Sequence, residues 1–442
     1  MRRSLDSRTA TVGLWSATAL VVGHTIGVGI FLTPGEVIGA LASPGLTLGL
    51  WIACGALVLA GALTFGELAS RYPLAGGPYI YLREGWGERI AFLYGWQSLL
   101  VMDPGVTAAL ASGLSSYAVL LWPASAGAER WLAILVIWLL AAISMSGLTL
   151  SARVVGVMTA FKLLAFATIV VVALATKGGN WSHFEPFAGR AAGAGSLTEA
   201  VALGLVSVFF SFGGFWEASR IAGDVRDARR TMPAALVIGV TCVTVIYIAT
   251  TVAFIYLVPV QQATSAQEFA RRAGEAMLGD GGPSVLLSIV VLSVVSSVLA
   301  LIIMAPRLYV AMSRDGLFPL TLAVVSPTSQ APARATAFLA LLASVYVLVG
   351  TFQQIVAFFM CTTLAFIALA AAALVVIRRR HPQVAAFRSP GYPVATVLFV
   401  LLVAAVVMLL AINRPVQAIA GLAIVALGLP AHEVLRRQSA NR

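Results

Sequence analysis

The sequence predicts an all-α integral membrane protein of about twelve transmembrane helices, and three observations predict it. Of its 442 residues, 60% are hydrophobic and only 10% charged, with a mean hydropathy of +0.96, more apolar surface than a soluble core can use. Apolar runs such as Val154 to Ala175, Leu286 to Met304 and Val394 to Ile412 recur along the chain. At about 1.5 Å per residue, such runs approach or span a hydrocarbon layer of roughly 30 Å. The third observation is the placement of charge. A net charge of +11 taken alone would suit a nucleic-acid partner. The arginines, however, gather in alternate connections between the runs, which is a membrane pattern and excludes that partner.

With the N-terminus inside, Arg71, Arg83, Arg153, Arg220, Arg229, Arg230, Arg314 and Arg378 to Arg380 fall on the cytoplasmic side. Only Arg130, Lys177, Arg190, Arg271, Arg272 and Arg414 fall outside, and Lys162 and Arg307 lie within spans. An even number of spans returns the C-terminus to the cytoplasm, so the chain is expected in the inner cell membrane with both termini cytoplasmic.

The first span, 11–40, holds the run Gly23-His24-Thr25-Ile26-Gly27-Val28-Gly29, where glycines interrupt a helix. It lacks a convincing cleavage site and is expected to persist in the mature protein. The second covers 46–69. The third, 88–122, carries Asp103 followed by Pro104, and the fourth covers 129–147. The fifth, 152–176, carries Lys162 nine residues beyond Arg153, about 13 Å into the span at helical rise. The sixth, 197–223, contains a second interruption, Phe210-Ser211-Phe212-Gly213-Gly214. Spans follow at 233–258, 283–313, 333–351, 353–378, 392–412 and 415–434, with the longest extramembrane stretches at 177–196 and 259–283. Cys54, Cys242 and Cys361 all fall inside spans, as small packing residues rather than a disulfide framework.

Each glycine costs about 1 kcal/mol of helix propensity, so paired glycines favour unwinding where the freed backbone groups find a use. Close helix packing is the other use of such pairs. Breaks at matching places five spans apart favour unwinding, in two inverted five-helix repeats that face each other at the bilayer midplane. On this reading 1–442 is one membrane domain, with repeats at 11–176 and 197–378 and two extra helices over 392–434.

Five ordered segments then resemble the amino acid, polyamine and organocation transporters, of the L-type and cationic amino acid branches. They are GHTIGVGIFLTPG (Gly23 to Gly35), ELASRYPLAGGPYIYLREGWG (Glu67 to Gly87), SFGGFWEASRIAGDVRDARRTMP (Ser211 to Pro233), RLYVAMSRDGLFP (Arg307 to Pro319), and RRRHP with FRSPGYP (Arg378 to Pro393). The resemblance spans nearly the whole chain and implies a secondary amino acid transporter with the five-plus-five fold.

A zwitterionic substrate needs both charges paired in low dielectric. The N–H groups around Gly27, Val28 and Gly29, at the positive end of a half-helix, suit its carboxylate. Carbonyls near Thr25 and Ile26, with those of Phe210, Ser211 and Gly213, suit its ammonium, as the resemblance implies. Gly214 completes the second break. Relatives often carry a hydroxyl residue where this chain has Val28, so that contact to the carboxylate is missing. Phe210, Phe212, Phe215, Trp216 and Leu301 are the candidate pocket walls, and they favour a neutral side chain. His24 either meets substrate or packs between helices.

The resemblance further implies that Lys162 stands in for a bound sodium ion and tethers the fifth helix to the unwound part of the first. That makes transport sodium-independent and lets the lysine couple it to protons; the other reading is a lysine reaching back to the headgroups. Asp103 is a proton carrier or ammonium contact, or else an N-cap for a helix restarting at Pro104. Glu217 and Arg220, three apart, are expected to pair. Asp224, Arg226, Arg229 and Arg230, which the resemblance makes a cytoplasmic loop, are expected to shape the inner gate or the topology rather than touch substrate.

No cofactor and no metal are expected: His432-Glu433 lacks the second histidine of a zinc motif, and no phosphate-binding loop or nucleophile elbow is present in the sequence. The chain is therefore read as no enzyme. Proton symport and amino acid exchange both remain open. So do a polyamine or cationic amino acid substrate and a permease-like sensor, although the short stretch before the first span speaks against the sensor. The expected partners are an amino acid substrate, protons and the bilayer. The loop Trp122 to Trp131 lacks the cysteine through which some relatives hold an accessory chain, so no disulfide-linked subunit is expected.

Overall fold

The computed structural model describes residues 10–27, 29–122, 127–176, 178–190, 195–262, 266–349, 352–382 and 385–440. Val28 and Lys177, both singled out from the sequence, lie outside them. Helices occupy nearly all of this length. α1 (Leu14–Thr25) and α2 (Gly29–Leu41) are 12 and 13 residues long, too short to span alone, and in series they form the first span. α3 (Pro44–Arg71) is the second, its start capped by the Ser43 hydroxyl accepting from the Leu46 amide at 3.4 Å. α4 (Pro78–Trp86) leads into the third span, built from α5 (Glu88–Gln97), one wide π-helical turn at Ser98–Met102 and α6 (Asp103–Leu121).

The fourth and fifth spans are α7 (Glu129–Ser146) and α8 (Leu148–Ala175). The sixth is α9 (Leu197–Ser211) followed by a 3-10 segment, Phe215–Asp224. α10 (Ala228–Leu257) is the seventh. α11 (Ala266–Leu278) lies in the stretch 259–283 read as extramembrane, its sequence being too polar to register as a span. α12 (Gly282–Arg314), α13 (Ala333–Val349), α14 (Phe352–Arg380), α15 (Val394–Asn413) and α16 (Pro415–Ala440) complete the chain. Among the described residues, ten helices are long and apolar enough to cross a membrane, with α13 the shorter apolar helix beside them. The broken first span brings the total to the expected twelve.

The packing follows the inverted repeat. α2 packs on α9 and α1 on the 3-10 segment, so the broken spans of the two halves meet each other; α3 packs on α10 and α6 on α12, again counterpart on counterpart. Small residues permit these approaches. A Cβ on Gly55 of α3 would come within 2.4 Å of Thr244 on α10, and one on Gly239 of α10 within 2.5 Å of Val21 on α1. Aromatic edges fill the space behind the breaks: Trp51 against Phe212 and Tyr247, and Phe65 against Phe215 and Phe399.

One expectation fails here. Arg220, assigned to the cytoplasmic side with the other arginines, is fully buried inside the bundle with its side chain paired to Asp103. The broken sixth span continues past Gly214, and this carries Arg220 inward where a charge count alone groups it with the cytoplasmic arginines.

Candidate functional site

The first break leaves Ile26 and Gly27 outside regular helix, and a carbonyl freed in this way costs about 1–3 kcal/mol if buried without a donor. Side chains from three other spans supply the donors. Lys162 Nζ on α8 donates to Ile26 O at 2.6 Å and to Gly23 O at 3.0 Å. The Ser297 hydroxyl on α12 lies 2.8 Å from Gly23 O and 2.9 Å from Ile26 O, and Ser293 donates to Ile26 O at 3.1 Å. Tyr247 on α10 reaches Thr25 O at 3.1 Å. His24, in the last turn of α1, sets Nδ1 3.3 Å from Ser297 O.

The second break is a turn through Phe212, Gly213 and Gly214. Gly214 takes a left-handed φ of +98°, and a Cβ there would lie 2.5 Å from the His24 ring, so both its conformation and its neighbour require glycine. The Gly213 amide closes the turn onto Phe210 O at 3.0 Å. Ser211 O accepts from the Tyr247 hydroxyl at 2.9 Å, and Ser211 Oγ donates to Thr33 Oγ1 at 2.8 Å. The two breaks almost touch: a Cβ on Gly29 would lie 2.9 Å from the Ser211 Cα.

Between them lies a cavity of about 100 Å³. In the same measure one water needs roughly 10–15 Å³, so the cavity takes a molecule of several non-hydrogen atoms. His24, Thr25, Gly27 and Gly29 line it from the first break, and Phe210, Ser211, Gly213 and Gly214 from the second. Leu301, Val106, Leu110 and Leu364 make its walls largely apolar, and Trp216 and Glu217 close one end. A larger cavity of about 690 Å³ adjoins it on the side away from the start of α1, bordered by Thr33, Glu36 and Arg414. Gly29, Phe210 and Met360 belong to the walls of both.

The opposite side is shut by charge and backbone. Arg220 Nη1 donates to both Asp103 carboxylate oxygens at 2.9 Å, Tyr309 donates to Asp103 Oδ2 at 2.9 Å, and Arg220 Nη2 donates to Tyr94 Oη at 2.8 Å. Glu217 Oε2 lies 2.5 Å from Arg220 Nε. Further toward that face, the Thr11 and Val12 amides donate to Asp224 O, the Arg226 amide donates back to Val12 O, and Arg307 pairs with Asp224 at 3.3 Å.

Most residues singled out from the sequence meet here, in roles that differ in part. Thr25, Gly27, Gly29, Phe210, Ser211, Gly213, Gly214 and Leu301 line the small cavity. Ile26 and Phe212 do not, nor does Phe215, which packs on Phe65 and Phe399. Ile26 turns its side chain into the core and offers its carbonyl to Lys162 and the two serines, while Phe212 packs on Trp51 and Tyr247. Among the expected ammonium acceptors, the carbonyls of Thr25, Ile26, Phe210 and Ser211 therefore already hold protein donors. Lys162 lies against the gap in the first span and does not reach back to a headgroup. Asp103 caps no helix: its own φ and ψ are helical and its carboxylate is taken up by Arg220 and Tyr309. Ser293, Ser297 and Tyr247 escaped the sequence reading. The serines left a signal, polar residues four apart in an otherwise apolar span; Tyr247 left none.

Comparison with known proteins agrees with this architecture. The chain matches the amino acid permease family over residues 12–429. It is 29% identical over 411 residues to the b(0,+)-type amino acid transporter 1 of Mus musculus, covering 92% of this chain and 82% of that protein. It is 30% identical over 416 residues to the methylthioribose transporter of Bacillus subtilis (strain 168), covering 89% and 86%. To the human large neutral amino acids transporter small subunit 2 it is 31% identical over 325 residues, covering 71% and 59%. Twelve spans, two facing breaks and a match along nearly the whole chain lead to one conclusion: this multi-pass membrane protein belongs to the amino acid permease family.

Proposed function

We propose that the protein is a sodium-independent secondary transporter of small neutral amino acids. The observation that carries this reading is the small, mostly apolar cavity between two helix breaks, with Lys162 Nζ on the carbonyls of the first. The N–H groups at the start of α2, around Gly29, receive the substrate carboxylate, aided by the positive end of that half-helix. The remaining lone pairs of the break carbonyls, Gly213 among them, receive the ammonium. Leu301 and Phe210 bound the side chain. Lys162 Nζ on the break carbonyls supports transport without sodium, because a side-chain donor already occupies the place a cation would take. The distribution of arginines supports a cell-membrane protein whose N- and C-termini are cytoplasmic, so the larger cavity opens outward. Repeats at 11–176 and 197–378 and an accessory pair of helices over 392–434 are part of the same reading.

One observation favours a second substrate class. Glu217 is a carboxylate at the end of the cavity and would suit the second amine of a cationic amino acid or polyamine. Uptake of radiolabelled amino acids and polyamines into proteoliposomes, with sodium, a proton gradient or internal amino acid varied in turn, decides between them. Sodium-independent accumulation of alanine supports the first reading. Accumulation of lysine or putrescine in preference supports the second. Ligand binding with no transport of any of them would favour a sensor over both.

A further inference from the structure

Asp103, Arg220 and Glu217 bring two carboxylates to one guanidinium in the interior of the bundle, each of them fully or almost fully buried. The guanidinium is not shared evenly. Asp103 accepts two hydrogen bonds from Arg220 Nη1 and a third from Tyr309. Glu217 has Arg220 Nε at 2.5 Å from Oε2 and the Trp216 indole beside it, and neither of its oxygens makes a hydrogen bond of good geometry within the protein. With one positive and two negative groups, the cluster carries an uncompensated negative charge, and Glu217 is the member that holds it.

Among the described residues, no cation other than Arg220 pairs with Glu217. The ionisable groups nearest it on the surrounding elements include Tyr94 of α5, Tyr309 of α12, Tyr81 of α4, Tyr247 of α10 and His24 of α1. Tyr94 and Tyr309 already bond within the cluster, and His24 is hydrogen-bonded to Ser297 O. Arg307 of α12 is paired with Asp224, Arg83 of α4 with Asp315, and Glu67 of α3 with Arg71 and Arg378. Arg229 and Arg230 of α10 are exposed at its end. Lys162 is committed to the gap in the first span.

A carboxylate with an unmatched charge in low dielectric takes up a proton. Glu217 lines the substrate cavity and Asp103 does not, so only Glu217 is reached along the substrate's own path. We propose that Glu217 is a proton-binding site of the transport cycle, and this rests on the transporter reading above. A proton passes from water in the vestibule to Oε1, giving a neutral carboxylic acid while a neutral zwitterion fills the cavity. It leaves to water on the other side when the substrate does. Each cycle then moves one positive charge, which makes transport of a neutral amino acid symport and electrogenic.

The test uses proteoliposomes of the full chain, with radiolabelled alanine outside and a pH-sensitive dye inside, for wild type, Glu217→Gln and Glu217→Asp. In wild type, alanine entry should acidify the interior by about one proton per alanine, and an inward proton gradient should raise uptake at least about fivefold. Glu217→Gln should lose proton entry and the gradient response, whatever exchange it retains, and Glu217→Asp should keep proton entry. Alanine entry without protons in wild type, or with protons in Glu217→Gln, overturns the proposal. A transport-independent readout covers a variant that fails to move alanine. The infrared carbonyl band of a buried protonated carboxyl should rise on acidification in wild type and be missing in Glu217→Gln; its absence from wild type overturns the proposal even if no amino acid is transported. Failure of the whole transport panel, with the band present, counts against the transporter reading alone.

Discussion

Lys162 Nζ lies 2.6 Å from the carbonyl oxygen of Ile26, so one ammonium fastens the fifth span to the gap in the first. Hydrogen bonds to charged groups contribute about 1.5–3 kcal/mol, and Ser293 and Ser297 remain as partial substitutes when the lysine is lost. Lys162→Met should therefore lower the detergent melting midpoint by several degrees and reduce alanine uptake by more than about tenfold. Sodium should leave wild-type uptake unchanged. Stability and uptake are both read on the purified protein, and a Lys162→Met variant that transports normally would remove the lysine from the mechanism.

Asp103 and Arg220, 117 residues apart in sequence, form an ion pair with both side chains fully buried. Breaking a buried pair typically costs about 3–5 kcal/mol, and Glu217 partly compensates the stranded guanidinium, which places Asp103→Ala near the lower end. Adding Arg220→Met should recover much of that loss. A double-mutant cycle on unfolding measures the coupling, and additive losses would contradict the pairing.

The two glycines of the first break are not equivalent. A Cβ on Gly29 would meet Ser211 Oγ at 2.8 Å and the Ser211 Cα at 2.9 Å, whereas one on Gly27 finds its nearest neighbour, Ser297 Oγ, at 3.5 Å. Gly29→Ala should abolish uptake by forcing α2 and α9 apart. Gly27→Ala should fold and weaken alanine affinity by no more than a few-fold, as read by saturation of uptake.

Leu301 closes the apolar side of a cavity near 100 Å³. A methylene more or less in such a pocket shifts discrimination by about 1–3 kcal/mol, or some 10–200-fold. Leu301→Ala should raise the leucine-to-alanine uptake ratio by about tenfold, with competition assays as the check.

The sequence made the spans legible because an apolar run of membrane length leaves few alternatives, and it made both breaks legible because glycine clusters at Gly23 to Gly29 and Gly213 to Gly214 have so few uses inside a span. Lys162 was legible for the cost of its charge. What could not be read depends on direction and on distance along the chain. Nothing local indicates that Phe212 turns behind the break while Phe210 turns into the cavity. The pairing of Arg220 with Asp103 joins two spans that only the folded bundle brings together, and a positive charge near a cytoplasmic span end reads as one more flanking arginine. The occupation of the break carbonyls by Tyr247, Ser293 and Ser297 is a tertiary fact of the same kind.

Tyr247 has a single hydroxyl proton and stands between Thr25 O at 3.1 Å and Ser211 O at 2.9 Å, one carbonyl from each gap. One proton cannot satisfy both acceptors fully, so the phenol works as a gauge of how far apart the two half-sites stand. When they separate, it must choose a side and leave the other carbonyl to be claimed by something else. A ligand amine that replaces it would be rewarded only in the wider spacing, which makes the seventh span, without facing the cavity, a participant in deciding when the site is occupied.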